Sequence, residues 1–122
     1  MHSILDVLKR TIYKFRCAFQ GFYAGIRYDR SILIQVIFAL ISIILFSFIG
    51  ISVIEWLFII SAIFIVLIAE FLNSAIEDIC DLLIKKYDLH VKEIKDIAAA
   101  AVLLAALYAV VVGVVILGGK IL

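Results

Sequence analysis

Apolar residues recur at Ile4, Leu8, Ile12, Phe15, Phe19, Phe22 and Ile26, every three or four positions, while Lys9, Arg16, Gln20 and Arg27 fall on another face. That is the period of an amphipathic helix, and its basic polar face and aromatic apolar face suit a helix over residues 1–30 lying in a membrane interface. From Ile32 the pattern changes from periodic to continuous. Ile32 to Ile49 is apolar apart from Gln35 and a few serines and ends at Gly50, which predicts a first spanning helix over 32–49. After a turn at Gly50, Ile51 and Ser52, Glu55 and Trp56 mark an interface, where Trp is favoured. A second apolar run begins at Ile54 and passes into EFLNSAIEDICD without Gly or Pro, which predicts a helix over 54–84. A third, rich in Ala, is predicted over 96–119. Its Ala98 to Ala101, Ala105, Ala106 and Ala109 let a neighbouring helix approach closely, the usual basis of packing in lipid.

Composition places this pattern in a bilayer. Of 122 residues, 67% are hydrophobic and 17% charged, with no proline, and the mean hydropathy is +1.29. These values lie outside the range of soluble domains, so the chain reads as a single all-α membrane domain over 1–122. Its basic residues form two blocks. Lys9, Arg10, Lys14, Arg16, Arg27 and Arg30 precede the first run, and Lys85, Lys86, Lys92 and Lys95 separate the second from the third. By the positive-inside bias, the N-terminus and the 85–95 segment are expected in the cytoplasm, and the Gly50 turn and C-terminus outside. Lys120 is the exception. Residues 1–30 hold no continuous apolar core followed by a small-residue cleavage site, so no removable signal peptide is expected. Cys17 and Cys80 lack CxxC spacing and suggest neither a disulfide framework nor a zinc site, and His2 and His90 are isolated.

The end of the second apolar run carries the chemistry. On a helix, Glu70, Asn73, Ser74, Glu77 and Asp81 share one face about 100° wide. Measured from Trp56 at about 1.5 Å per residue, Glu70 lies roughly 20 Å and Glu77 roughly 30 Å along the axis. Against a hydrocarbon core about 30 Å thick, the stripe runs from lipid into water. An ionisable group at the depth of Glu70 costs on the order of 2.5 to 3.5 kcal/mol, which points to a protein-facing, functional position. Helix-helix hydrogen bonding is the alternative use of such a stripe. A carboxylate at the interface can take a proton from a lipid hydroxyl, while acids nearer water can hold Mg²⁺ and nucleotide phosphates, offset by Arg10, Lys86 and Lys95. There is no GxxxxGK[ST] loop, so phosphate binding must come from a metal and side chains.

Two motifs then give a resemblance. EFLNSAIEDICD at 70–81 resembles the E-hydrophobic-hydrophobic-N-[ST]-A-I-E signature of the small bacterial membrane kinases of diacylglycerol and undecaprenol, and KDIAAAAVLL at 95–104 resembles their K-D-x-x-x-A-A-V-L motif. The resemblance implies a homotrimer of protomers with a surface helix and three spanning helices in the inner membrane. It implies transfer of the γ-phosphoryl group of MgATP to a lipid hydroxyl at the cytoplasmic interface, in sites shared between protomers, with no nucleic-acid partner.

Residue by residue, the resemblance makes Glu70 the general base, Asn73 a polar residue supporting the site, and Glu77 and Asp29 metal-binding carboxylates. Lys95 and Asp96 match the pair that contacts ATP, with Lys86, Tyr87 and Asp88 near the nucleotide. Arg10 matches an arginine near phosphate and lipid, and Ala99 a lipid contact. The chain departs from the family pattern where Asp29 replaces a Glu and where Gln35 stands in place of an acid or histidine. Glu55, Trp56, Leu57 and Phe58 look more like the undecaprenol branch. A non-enzymatic channel or scaffold is the rival reading, but a pore favours polar rings through the full membrane depth, and the 54–69 stretch supplies none beyond its start. A lipid phosphatase lacks a supported nucleophile.

Overall fold

The computed structural model describes residues 3–122 and folds them into four helices: α1 (Ile4–Tyr28), α2 (Arg30–Ile49), α3 (Val53–Leu83) and α4 (Leu89–Ile121). The last three are long and apolar enough to cross a membrane. Met1 and His2 lie outside the described residues.

Local chemistry sets each boundary. Ser3 caps α1, its hydroxyl accepting from the Asp6 N–H at 3.2 Å while the Asp6 carboxylate accepts from the Ser3 N–H at 3.4 Å. A single residue, Asp29, then ends α1 and starts α2, and its Oδ1 accepts from the Ile32 N–H at 3.1 Å. Gly50 ends α2 with φ at +78°, a conformation that a Cβ disfavours. Ser52 and Glu55 form a second capping box at the start of α3.

The start of α4 differs from the sequence expectation. The helix begins at Leu89, seven residues before the expected 96, because the Asp88 carboxylate caps it by accepting from the N–H groups of His90 (2.8 Å) and Val91 (3.1 Å). Lys92, Lys95 and Asp96 therefore stand on a helix, and the true connection is only 84–88. Hydropathy marks where a helix enters lipid, whereas the cap marks where it begins.

α3 and α4 pack as an antiparallel pair along their length. Ile59, Ala62, Val66 and Glu70 are buried on α3, and Ala98, Ala105, Val112 and Ile116 on α4. The α4 positions repeat mostly every seven residues, the spacing of a continuous packing seam. Ion pairs close both ends: Glu55 with Lys120 at 2.8 Å, and Asp81 with Lys95 at 2.6 Å. Between them the Ser61 and Tyr108 hydroxyls lie 3.1 Å apart. Lys120, the outlier in the charge pattern, thus has an acid beside it.

α2 meets this pair near its ends, where Ile32 and Phe46 are buried. Phe46 joins Ile59, Val112 and Ile116 in an apolar cluster at the Gly50 end. Between the two anchors α2 leaves a cleft of about 120 Å³.

α1 buries none of its residues. It touches α3 where the Phe22 ring stacks on Phe71 (centroids 5.5 Å apart, planes at 10°) and where Gly25 abuts the same ring. A Cβ at Gly25 would run into Phe71 and come within 3.2 Å of Ile32, whereas one at Gly21 would meet open space. Gly25→Val is therefore expected to destabilise the protein by about 1 to 3 kcal/mol through overpacking. Gly21→Ala is expected to be neutral or to gain up to about 1 kcal/mol from helix propensity. Thermal unfolding of both variants in detergent checks the contrast.

Candidate active site

The polar stripe of α3 emerges as a gradient of exposure. Glu70 is only 6% exposed, the single buried charged residue among those described. Asn73, Ser74 and Glu77 are half-buried, and Asp78 and Asp81 are exposed. This order follows from a straight helix leaving the bundle at its lysine-rich end.

Hydrogen bonds tie the stripe to itself and to α2. The Asn73 amide donates to Glu77 Oε1 at 3.2 Å, one helical turn on. Its Oδ1 is buried without a partner among the described residues, leaving an acceptor unused. The Ser74 hydroxyl donates to Asp29 Oδ2, so Asp29 uses one oxygen to cap α2 and the other to bind α3. Glu70 lies one turn before Ser74 on the same face of α3, so the Ser74 bond brings Asp29 to the stripe that Glu70 and Glu77 share. Three carboxylates thus approach one another, and no ion pair to any of them occurs among the described residues. Beside them, α1, α2 and α3 enclose a cleft of about 390 Å³ lined in part by Gly25, Asp29, Phe71, Ser74 and Asp78.

The positions read from sequence divide into those that converge and those that do not. Glu70, Asn73, Glu77 and Asp29 form one constellation. Lys95 stands at its edge, paired with Asp81 and within range of the Glu77 charge. Asp96 is held by Lys92 on its own helix at 2.7 Å, and Asp88 serves as the α4 cap. Lys86 and Tyr87 are exposed in the connection, Ala99 is exposed on α4, and Arg10 is exposed on α1. Arg10 lies about 22 Å along the helix axis from Gly25, where α1 reaches α3.

Among the described residues no three His, Cys, Asp or Glu side chains are close enough together to enclose a metal ion. Mg²⁺, however, commonly binds one or two carboxylates and completes its shell with water and phosphate. Among the described residues, Glu77 keeps one oxygen free of protein partners and each Asp29 oxygen carries only one hydrogen bond. This donor set fits a cation shared with a nucleotide.

One member of the site carries no role in the sequence pattern. Ser74 shares the helical face of Glu70, but its partner Asp29 is 45 residues away.

The model of the prokaryotic diacylglycerol kinase family matches residues 16–117, which include both motifs and every member of the constellation. The chain belongs to the prokaryotic diacylglycerol kinase family. No curated protein matches it. Membership in the diacylglycerol kinase family makes the protein a lipid kinase, with ATP as the implied co-substrate, and its three long apolar helices make it a multi-pass membrane protein. Arg10 lies before the segment matched by the diacylglycerol kinase model, whereas Lys86 to Asp88, Lys95, Asp96 and Ala99 lie within it.

Proposed function

We propose that the protein transfers the γ-phosphoryl group of MgATP to the hydroxyl of undecaprenol or diacylglycerol, with a preference for undecaprenol, at the cytoplasmic face of the inner membrane. The observation that carries this reading is Glu70: a buried carboxylate without a cationic partner among the described residues, at the buried end of a stripe that becomes exposed towards Asp81. A group so placed meets a lipid hydroxyl that cannot leave the interface and a phosphate that cannot enter the hydrocarbon.

Glu70 accepts the hydroxyl proton as the oxygen attacks the γ-phosphorus, and an in-line geometry requires the phosphates to approach from the Glu77 side. Asn73 holds Glu77 in place, and Ser74 does the same for Asp29. These two carboxylates are the residues that would hold Mg²⁺, which supplies charge neutralisation at the phosphate oxygens. Lys95 offsets further phosphate charge, positioned by Asp81. Since little covalent chemistry falls to the protein, orientation and electrostatics supply most of the rate.

The surface helix supports the same geometry. With no buried residue and with Phe15, Phe19 and Phe22 exposed opposite Lys9 and Arg16, α1 suits a position in the cytoplasmic interface. Arg10, Lys86 and Tyr87 stand apart from the constellation of their own protomer, which favours a homotrimer whose neighbours complete each site with them. Ala99, exposed beside the buried Ala98, offers a small-residue surface to a lipid or a neighbouring helix.

Asp29→Asn separates the two duties of Asp29. Asn is as good a helix cap as Asp, so stability is expected to stay within about 0.5 kcal/mol while the Mg²⁺ concentration for half-maximal rate rises. Titration of Mg²⁺ beside a thermal melt checks this. The reading as a whole is tested with purified protein in mixed micelles, γ-labelled MgATP, and undecaprenol or diacylglycerol. Faster phosphorylation of undecaprenol is expected; labelling of neither lipid overturns the proposal, and faster labelling of diacylglycerol reverses the preference.

A further inference from the structure

The cations of α1 have no acidic partners among the described residues. Lys9, Arg10, Lys14, Arg16 and Arg27 share the helix with one carboxylate, Asp6, which is engaged at the N-cap, and none of them is in an ion pair. Their placement says more than their number. At about 100° per residue, Lys9, Arg16 and Arg27 fall within about 20° of one another along one edge of the apolar face that Leu8, Ile12, Phe15 and Phe19 form. Lys14 borders the other edge, and only Arg10 lies on the far side, with Asp6 and Cys17. Cations at the margins of an apolar face can lay their stems against a bilayer while their heads reach headgroup phosphates.

The position of α1 brings those phosphates within reach. Asp29 alone separates it from α2, the first helix long and apolar enough to span. Its contacts with α3 lie near its end, at Phe22 and Gly25, and residues 4–24 are exposed throughout. The exposed acid Asp78 of a second copy could pair with the cations, but it would leave Phe15 and Phe19 uncovered. A bilayer satisfies both.

We propose that α1 is a binding surface for anionic phospholipid headgroups, with Lys9, Lys14 and Arg16 holding phosphates of the cytoplasmic leaflet while Phe15 and Phe19 sit among the acyl chains. The apolar face attaches to any bilayer, whereas each cation near the surface gains about fivefold from an anionic one. Asp29 joins this surface to the constellation. Its N–H donates to the Gly25 carbonyl at 3.0 Å, and its Oδ2 accepts from Ser74.

The test is hydrogen exchange of the full chain in nanodiscs of phosphatidylcholine, alone or mixed with phosphatidylglycerol, read by mass spectrometry on peptides from α1. The 84–88 connection serves as internal reference. Exchange in α1 is expected to slow by at least about tenfold in the anionic discs. The difference is expected to vanish in about 1 M salt, where charges are screened beyond about 3 Å. K9Q/K14Q/R16Q keeps helix propensity and is expected to lose the difference, whereas K9R/K14R/R16K keeps the charge and the difference with it.

Equal exchange in the two discs, or a difference that survives in K9Q/K14Q/R16Q or in high salt, would overturn the inference. Protection that follows protein concentration rather than lipid charge would assign the surface to a second copy and overturn it as well. None of these readouts depends on catalysis, so a wild type that phosphorylates no lipid would remove the kinase reading and leave the lipid surface standing.

Discussion

Glu70→Gln is expected to lower lipid phosphorylation by about 10² to 10⁴-fold, the range that a positioned general base contributes. The substitution is nearly isosteric and replaces a buried charge, unpaired by any cation among the described residues, with a neutral amide. The fold therefore has little reason to suffer, and the α3–α4 seam formed by Ile59, Ala62 and Val66 against Val112 and Ile116 is untouched. The loss is expected in kcat, with the KM for MgATP close to wild type, because the nucleotide is assigned to the Glu77 end of the stripe. Initial rates over a MgATP series, together with a thermal melt in detergent, separate this outcome from misfolding. A melt lowered by many degrees would make Glu70 a packing residue.

Glu77→Gln is expected to act through the cation. The half-buried Glu77 carboxylate has one oxygen bound by Asn73 and the other without a partner among the described residues, so removing its charge takes away a proposed ligand and leaves the Asn73 contact replaceable by an amide oxygen. Disturbing even the outer shell of a metal site costs about 10 to 100-fold in affinity, and loss of a ligand is expected to reach the upper end. The Mg²⁺ concentration for half-maximal rate should rise on the order of a hundredfold, with excess Mg²⁺ restoring part of the rate. The KM for lipid should stay unchanged. Titration of Mg²⁺ at fixed nucleotide and lipid measures both quantities, and an unchanged Mg²⁺ requirement would place the cation elsewhere.

The two variants divide the stripe by depth, and that division is legible in the sequence alone. Glu70, Asn73 and Glu77 sit on one helix, so a constant angle per residue places them on one face and a constant rise places them at different depths. The end of α2 and the start of α3 are legible for a related reason. Gly50, Ser52 and Glu55 act within a few residues of themselves, and each boundary lies where its own turn or cap places it. The start of α4 escapes a reading by hydropathy because the charged residues after Lys85 resemble a loop, whereas the Asp88 cap governs the backbone irrespective of hydropathy.

What stays hidden in the sequence depends on packing between helices. Family resemblance gives Asp29 a role, but its bond to Ser74 joins α2 to α3 across 45 residues. Family resemblance sets Lys95 with Asp96 at the nucleotide, yet the acid it pairs with is Asp81, on the facing helix. A helical wheel describes one helix at a time, and none of these pairs shares a wheel.

The Glu55–Lys120 pair shows the same distinction in the opposite sense. As a lone basic residue, Lys120 argues against the rest of the charge pattern; beside Glu55 it closes the Gly50 end of the α3–α4 pair with no net charge. Its counterpart at the other end is the Asp81–Lys95 pair, one turn from the buried Ala98.

The proposed mechanism has a buried carboxylate at lipid depth directing phosphate onto a lipid hydroxyl. Its most direct test is to reconstitute the wild-type protein into vesicles containing undecaprenol, add γ-labelled MgATP, and follow the label into the lipid extract. Label is expected to accumulate with time as a phosphate monoester of the lipid alcohol. Label found only as inorganic phosphate in the aqueous phase, or not released from ATP at all, would contradict the mechanism.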